Sequence, residues 1–128
     1  MELPLGDKER YIDGFKYVEL LNLIIPKIAK DGNAVIVGRG GQYILHGFDE
    51  AFHLLLIADE ADRIKFVENY YRVSREKTIK ILKRMDKRRA NLFHYFGKKD
   101  YDNPKHYHLI LNMSKFSIDE AVELISMR

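Results

Sequence analysis

The apolar run Ala34-Val35-Ile36-Val37 leads straight into Gly38-Arg39-Gly40-Gly41, and this junction restricts the fold more than any other stretch. A short, mostly β-branched run bounded by glycines suits a strand buried on both faces, as parallel strands between helix layers are. Glycines at the carboxyl end of such a strand let the backbone approach a ligand closely, and open sheets bind ligands at that end. Arg39 is the one side chain of the turn with both reach and charge. Its planar, permanently charged fork suits a phosphate or carboxylate. The alternative is a tight strand-to-helix turn whose arginine only caps neighbouring carbonyls.

Helices and strands alternate on either side of this junction. Apolar Phe15, Val18, Leu21, Ile25 and Ile28 recur at helical spacing over residues 13–30, with Asp13 as N-cap and Asp31-Gly32 as the stop. This face is expected to be core-facing, and Pro26 predicts a kink near residues 22–25 or two short helices. A short helix follows at 41–45, then a buried strand at 52–57. Asp59, Glu60 and Asp62 open a helix running to about Arg72, and Ser74 caps a further one over 75–95. After a polar loop at 97–106, residues 107–112 read as a third strand. Ser117 and Glu120 form a capping box that opens the last helix. The alternation predicts an α/β fold: a three-layer parallel sheet of about three strands, flanked by helices.

The 128 residues suffice for a single domain and are too few for two ordinary ones; residues 1–12, with Pro4 and Gly6, read as a loosely held arm. No cysteine is present, so disulfide and thiolate chemistry are excluded and a cytoplasmic setting is the default. The first residues lack the pattern of a signal peptide, and no apolar run approaches the roughly 20 residues of a membrane span. The net charge of +3 permits an anionic partner without demanding one.

Positive charge is concentrated between Arg72 and Lys99, where eleven basic residues face only Glu76 and Asp86. Either this is a solvated helix face or it is an anion-binding helix. The cluster Arg84, Asp86, Lys87, Arg88 and Arg89 spans more than one turn, so its members point in several directions. Interspersed aromatics permit stacking on single-stranded nucleic acid, but Phe93 and Phe96 fit an apolar helix edge and are assigned to the core. His106 and His108 lack a third ligand at a suggestive spacing, so no metal site is assigned. Ser74, Ser114 and Ser117 lack the context of a catalytic nucleophile.

Four blocks, in order over roughly residues 14–127, resemble the cytidylate-kinase-like family of P-loop nucleoside monophosphate kinases. They are Gly38-Arg39-Gly40, the 55–63 stretch ending in Arg63, Arg84-Met85-Asp86-Lys87-Arg88-Arg89, and the 112–122 stretch. The resemblance implies substrate binding by Gly38, Arg39, Gly40, Arg63 and Asp86, with Arg39 on the acceptor nucleotide's phosphate. It also implies a lid helix whose Arg84, Arg88 and Arg89 surround the transferred group. Phosphoryl transfer suits such an arrangement, because it needs positioning and positive charge more than covalent help. The implied ligand is a nucleoside monophosphate, CMP among the candidates.

One part of the family pattern is missing. Residues 1–128 contain no G-x-x-x-x-G-K-[ST] phosphate loop; the one Gly-Lys pair, Gly97-Lys98, has neither an upstream glycine at the required spacing nor a following Ser or Thr. ATP and Mg²⁺ therefore enter only if a phosphate-loop partner is supplied. In the family's sheet that strand lies between those matching 34–37 and 53–57. Either these two strands close up, or a second polypeptide or protomer fills the slot, so the sequence predicts a homo-oligomer or a separate N-terminal half. Such a chain is expected to be inactive alone. A different class of function, a non-catalytic regulatory or assembly module on the same scaffold, fits the residues too. Nucleic-acid binding is disfavoured by the mild net charge.

Overall fold

The computed structural model describes residues 13–127. In chain order these form α1 (Gly14–Asp31), α2 (Gly41–Ile44), β1 (Leu54–Ile57), α3 (Glu60–Tyr71), α4 (Arg75–Tyr95), a 3-10 turn (Pro104–His106), β2 (Leu109–Asn112) and α5 (Ile118–Ser126). The expected 1–12 arm lies outside the described residues.

Local chemistry starts the helices where the sequence places them. The Asp13 side chain accepts from the Lys16 N–H at 2.8 Å and Ser74 from the Lys77 N–H at 3.2 Å. Ser117 and Glu120 exchange both bonds of the capping box. Pro26 does not divide α1 into two helices: it removes one rung, the donor to the Asn22 carbonyl, from an 18-residue helix.

The helix α4 is the spine. Its carboxyl half buries Leu92 and Phe93 against Val18 of α1, with Tyr43, Phe96 and Tyr101 packed around them. Its amino half buries Leu82 against Ile64 and Val67 of α3. Full burial of side chains this size is worth about 1.5–3 kcal/mol each, so α4 ties both clusters together. On α1, Val18 and Ile25 are buried, but Phe15 and Ile28 are exposed, so the expected core face is only half covered.

The sheet is smaller than the sequence predicts. Leu54–Ile57 pairs in parallel with Leu109–Asn112, Leu54 opposite Leu109, and these are the only two strands among the described residues. Residues 34–37 run without regular pairing, and Val35 and Val37 are 91% and 84% exposed. The expectation of a strand buried on both faces is overturned, as is closure of 34–37 onto β1. A strand needs a neighbour for its backbone groups, and no described strand pairs with this one. The result is a mixed α/β chain with a two-stranded parallel sheet flanked by helices.

Candidate functional site

The carboxyl ends of the two strands are locked together. The Met113 N–H donates to the Ile57 carbonyl at 2.6 Å, and the Asp59 N–H donates to Ser114 Oγ at 2.7 Å. Asn112 Oδ1 accepts from the Ser114 N–H at 2.9 Å, which holds the turn that follows β2. Above this edge opens a cleft of about 1120 Å³. Its floor is apolar, with Leu56, Ile57, Phe66 and Phe93, and its charged groups are Asp62, Arg63, Asp86, Arg89 and Asp102. An open parallel sheet places ligands at this end of its strands.

Two guanidinium forks stand in the cleft. Arg63 donates to both oxygens of Asp86, Nη1 to Oδ2 at 3.1 Å and Nη2 to Oδ1 at 2.6 Å, which joins α3 to α4. Arg89 donates to both oxygens of Asp102 at 2.8 and 2.7 Å, and its guanidinium lies 4.6 Å above the centre of the Phe93 ring. The Tyr107 hydroxyl donates to Asp102 Oδ1 at 3.4 Å. The hydrogen bonds from Arg89 hold the Asp102 carboxyl below the usual carboxylate range. Burial pushes the Tyr107 phenol up, and Asp102 adds to that. Each guanidinium is held still more firmly protonated by its own aspartate, although Arg63 also feels the repulsion of Arg89. Both pairs are partly exposed and each is worth about 0–1 kcal/mol of stability.

The glycine turn forms a second centre. Gly38, Arg39 and Gly40 all have positive φ, at 68°, 61° and 70°. Three left-handed residues in a row are needed to turn the chain from 34–37 into α2, where the Tyr43 and Ile44 N–H groups donate to the Gly40 carbonyl. Arg39 is exposed and pairs with no described residue. The turn is docked to the end of α4: Gly40 sits against the Phe96 ring, and Tyr43 meets Phe93, Phe96 and His106 at ring separations of 5.2–5.4 Å. Burial pushes the Tyr43 phenol up to about 12, so its hydroxyl stays protonated and donates to the Tyr101 carbonyl at 3.1 Å.

The residues singled out in the sequence thus fall into three places. Arg63, Asp86 and Arg89 line the cleft together. Gly38, Arg39 and Gly40 form the turn beside Phe96. Arg84 is exposed on α4 and Arg88 is half-buried and engaged in interactions of its own, and neither lines the cleft. Helix geometry explains the division, because residues 84 and 88 share a face and residue 89 points about 140° away from 84. Sequence reasoning missed Asp102 and Tyr107, whose only signal was an acidic and aromatic loop following the basic helix. Among the described residues no group of three His, Asp or Glu side chains could hold a metal ion, and no helix is long and apolar enough to cross a membrane.

This architecture has a solved counterpart. The crystal structure of an uncharacterized protein from Eubacterium ventriosum ATCC 27560 superposes with a TM-score of 0.76 at 21% identity, over 88% of this chain. The chain spans 63% of the length of that protein. No match is found among curated proteins. A sequence model described as the cytidylate kinase-like family matches residues 7–115, most of the chain, and on that ground the protein belongs to the cytidylate kinase-like family.

Proposed function

We propose that the chain is the acceptor and lid half of a nucleoside monophosphate kinase-like unit, which binds the phosphate of a nucleoside monophosphate but does not transfer a phosphoryl group alone. The observation that carries this reading is the pair of forked guanidiniums, Arg63 and Arg89, in a cleft at the carboxyl ends of parallel strands. Bidentate arginine is the side chain of choice for phosphate, and a low-dielectric apolar floor strengthens its pull. Arg39 supports it from the turn. Its φ of 61° is a strained conformation for a non-glycine residue, one that Asn33 and Arg72 also adopt elsewhere in the chain.

In this unit Arg39 holds the acceptor phosphate, Gly38 and Gly40 let the backbone close around it, and Arg63 is oriented by Asp86. Arg89 faces the transferring group, with Arg84 and Arg88 further along the same lid helix. ATP and Mg²⁺ find no partners to fit them here: residues 1–128 have no phosphate-loop lysine and no hydroxyl following it. They belong to a strand-and-loop segment that adds between 34–37 and β1. The bare valines at 35 and 37 favour this completion.

Calorimetric titration with CMP and with ATP–Mg²⁺, alongside light scattering for mass, tests the reading. CMP binding that disappears in Arg39→Ala, with no ATP turnover, supports it. Failure to bind either nucleotide, together with a stable dimer, supports instead a non-catalytic assembly module, the reading that the exposed apolar surface favours.

A further inference from the structure

The two forks in the cleft differ in one respect. Asp86 is built into α4, so the Arg63–Asp86 pair joins two packed helices. Asp102 lies in the loop between α4 and the 3-10 turn, and apart from Arg89 its carboxylate meets the Tyr107 hydroxyl at 3.4 Å. Arg89 has a second contact that does not involve Asp102. Its guanidinium rests on the face of Phe93, which is only 2% exposed. Removing the carboxylate therefore leaves a guanidinium still aimed into the cleft.

A carboxylate presents two coplanar oxygens to a guanidinium, and so does a phosphate. The phosphate carries nearly twice the charge. The Arg89–Asp102 pair is also weak, with side chains 42% and 46% exposed, so water competes for it. From this geometry, and resting on the reading that the cleft takes nucleotide phosphate, we propose that Asp102 is an internal stand-in for phosphate on Arg89. The loop is latched while the site is empty and released when an anion takes its place. Asp102 is then a competing ligand that sets the threshold for anion binding, and Tyr43, through the Tyr101 carbonyl, is the anchor that keeps the released loop nearby.

Inorganic pyrophosphate is the probe, titrated by calorimetry into the unmodified chain, Asp102→Asn and Asp100→Asn, each checked for folding by circular dichroism. Asp100→Asn removes the same charge from the same loop without touching Arg89. Asp102→Asn should bind about two- to fivefold tighter than the unmodified chain, the factor an exposed ion pair is worth, and Asp100→Asn should change less. Pyrophosphate should also speed tryptic cleavage after Lys98, Lys99 and Lys105 in the unmodified chain, and Asp102→Asn should be cut fast from the start. Equal affinity in all three chains overturns the latch and leaves the phosphate-binding reading standing. Binding by Asp102→Asn alone supports the latch and overturns that reading for the unmodified chain. Binding by none overturns both.

Discussion

At Gly38, Arg39 and Gly40 three successive residues hold left-handed conformations, yet a side chain meets a different obstacle at each. A Cβ at Gly38 would enter open space, so Gly38→Ala should cost only the conformational term of about 1–2 kcal/mol. A Cβ at Gly40 would overlap the Phe96 ring as well, and overpacking adds about 1–3 kcal/mol. Gly40→Ala should therefore be the more destabilising by that margin in urea unfolding, and Phe96→Ala should narrow the gap. Arg39→Gly runs the other way. It relieves the left-handed strain but loosens the unfolded chain by about 0.5–1 kcal/mol, so its stability should match or slightly exceed that of the parent while CMP binding is lost. A drop of more than about 1 kcal/mol in that variant would show that Arg39 serves the fold rather than a ligand.

Among the elements, the seam between α3 and α4 hides a polar atom. Thr78 is fully buried and its hydroxyl finds no partner among the described residues. Valine keeps the β-branch and nearly the volume while removing the unsatisfied group, so Thr78→Val should raise stability by about 1 kcal/mol, read as a higher melting temperature. The other end of the sheet is sensitive to pH. His53 and His108 stack with ring centres 5.3 Å apart, and His108 Nδ1 accepts the His53 backbone N–H at 2.9 Å. Burial, together with His108 and His46, holds the His53 imidazole below its ordinary value of 6.5, despite a hydrogen bond to the Leu45 carbonyl. The unfolded chain then binds the proton more readily than the folded one. Stability should be full above about pH 7 and should fall as the pH drops through 6.5 toward the folded value; His53→Gln should flatten that slope. The elements that were legible in the sequence are those decided locally. Asp13, Ser74 and Ser117 cap helices through neighbours three residues away. Arg63 and Asp86 were legible as residues but not as a pair, because 23 positions separate them and only the packing of α3 on α4 brings them together. Asp102 was illegible for the same reason.

At the scale of the molecule, residues 34–37 have no pairing strand among the described residues. The composition of 34–37 is that of a buried strand, and that inference failed because burial is a property of the sheet and not of the segment. The uncovered surface is not confined to this run. Leu56 and Ile57 on β1 are exposed, and so is much of the apolar stripe of α5, including Ile118 and Val122. A single added strand with a covering helix would bury apolar groups on both β1 and 34–37, which separate additions would not. This makes a sharp prediction for Val35→Lys/Val37→Lys. Both side chains are already in water, so the double variant should unfold within about 0.5 kcal/mol of the parent. If another strand adds along this edge, two lysines on the edge segment should prevent association, and any assembly that light scattering shows for the parent should be replaced by monomer. An unchanged assembly mass would place the contact elsewhere, with α5 the next surface to test through Ile118→Lys. A large loss of stability would instead mean that 34–37 is covered within the chain itself, and the slot between it and β1 would be closed without a partner.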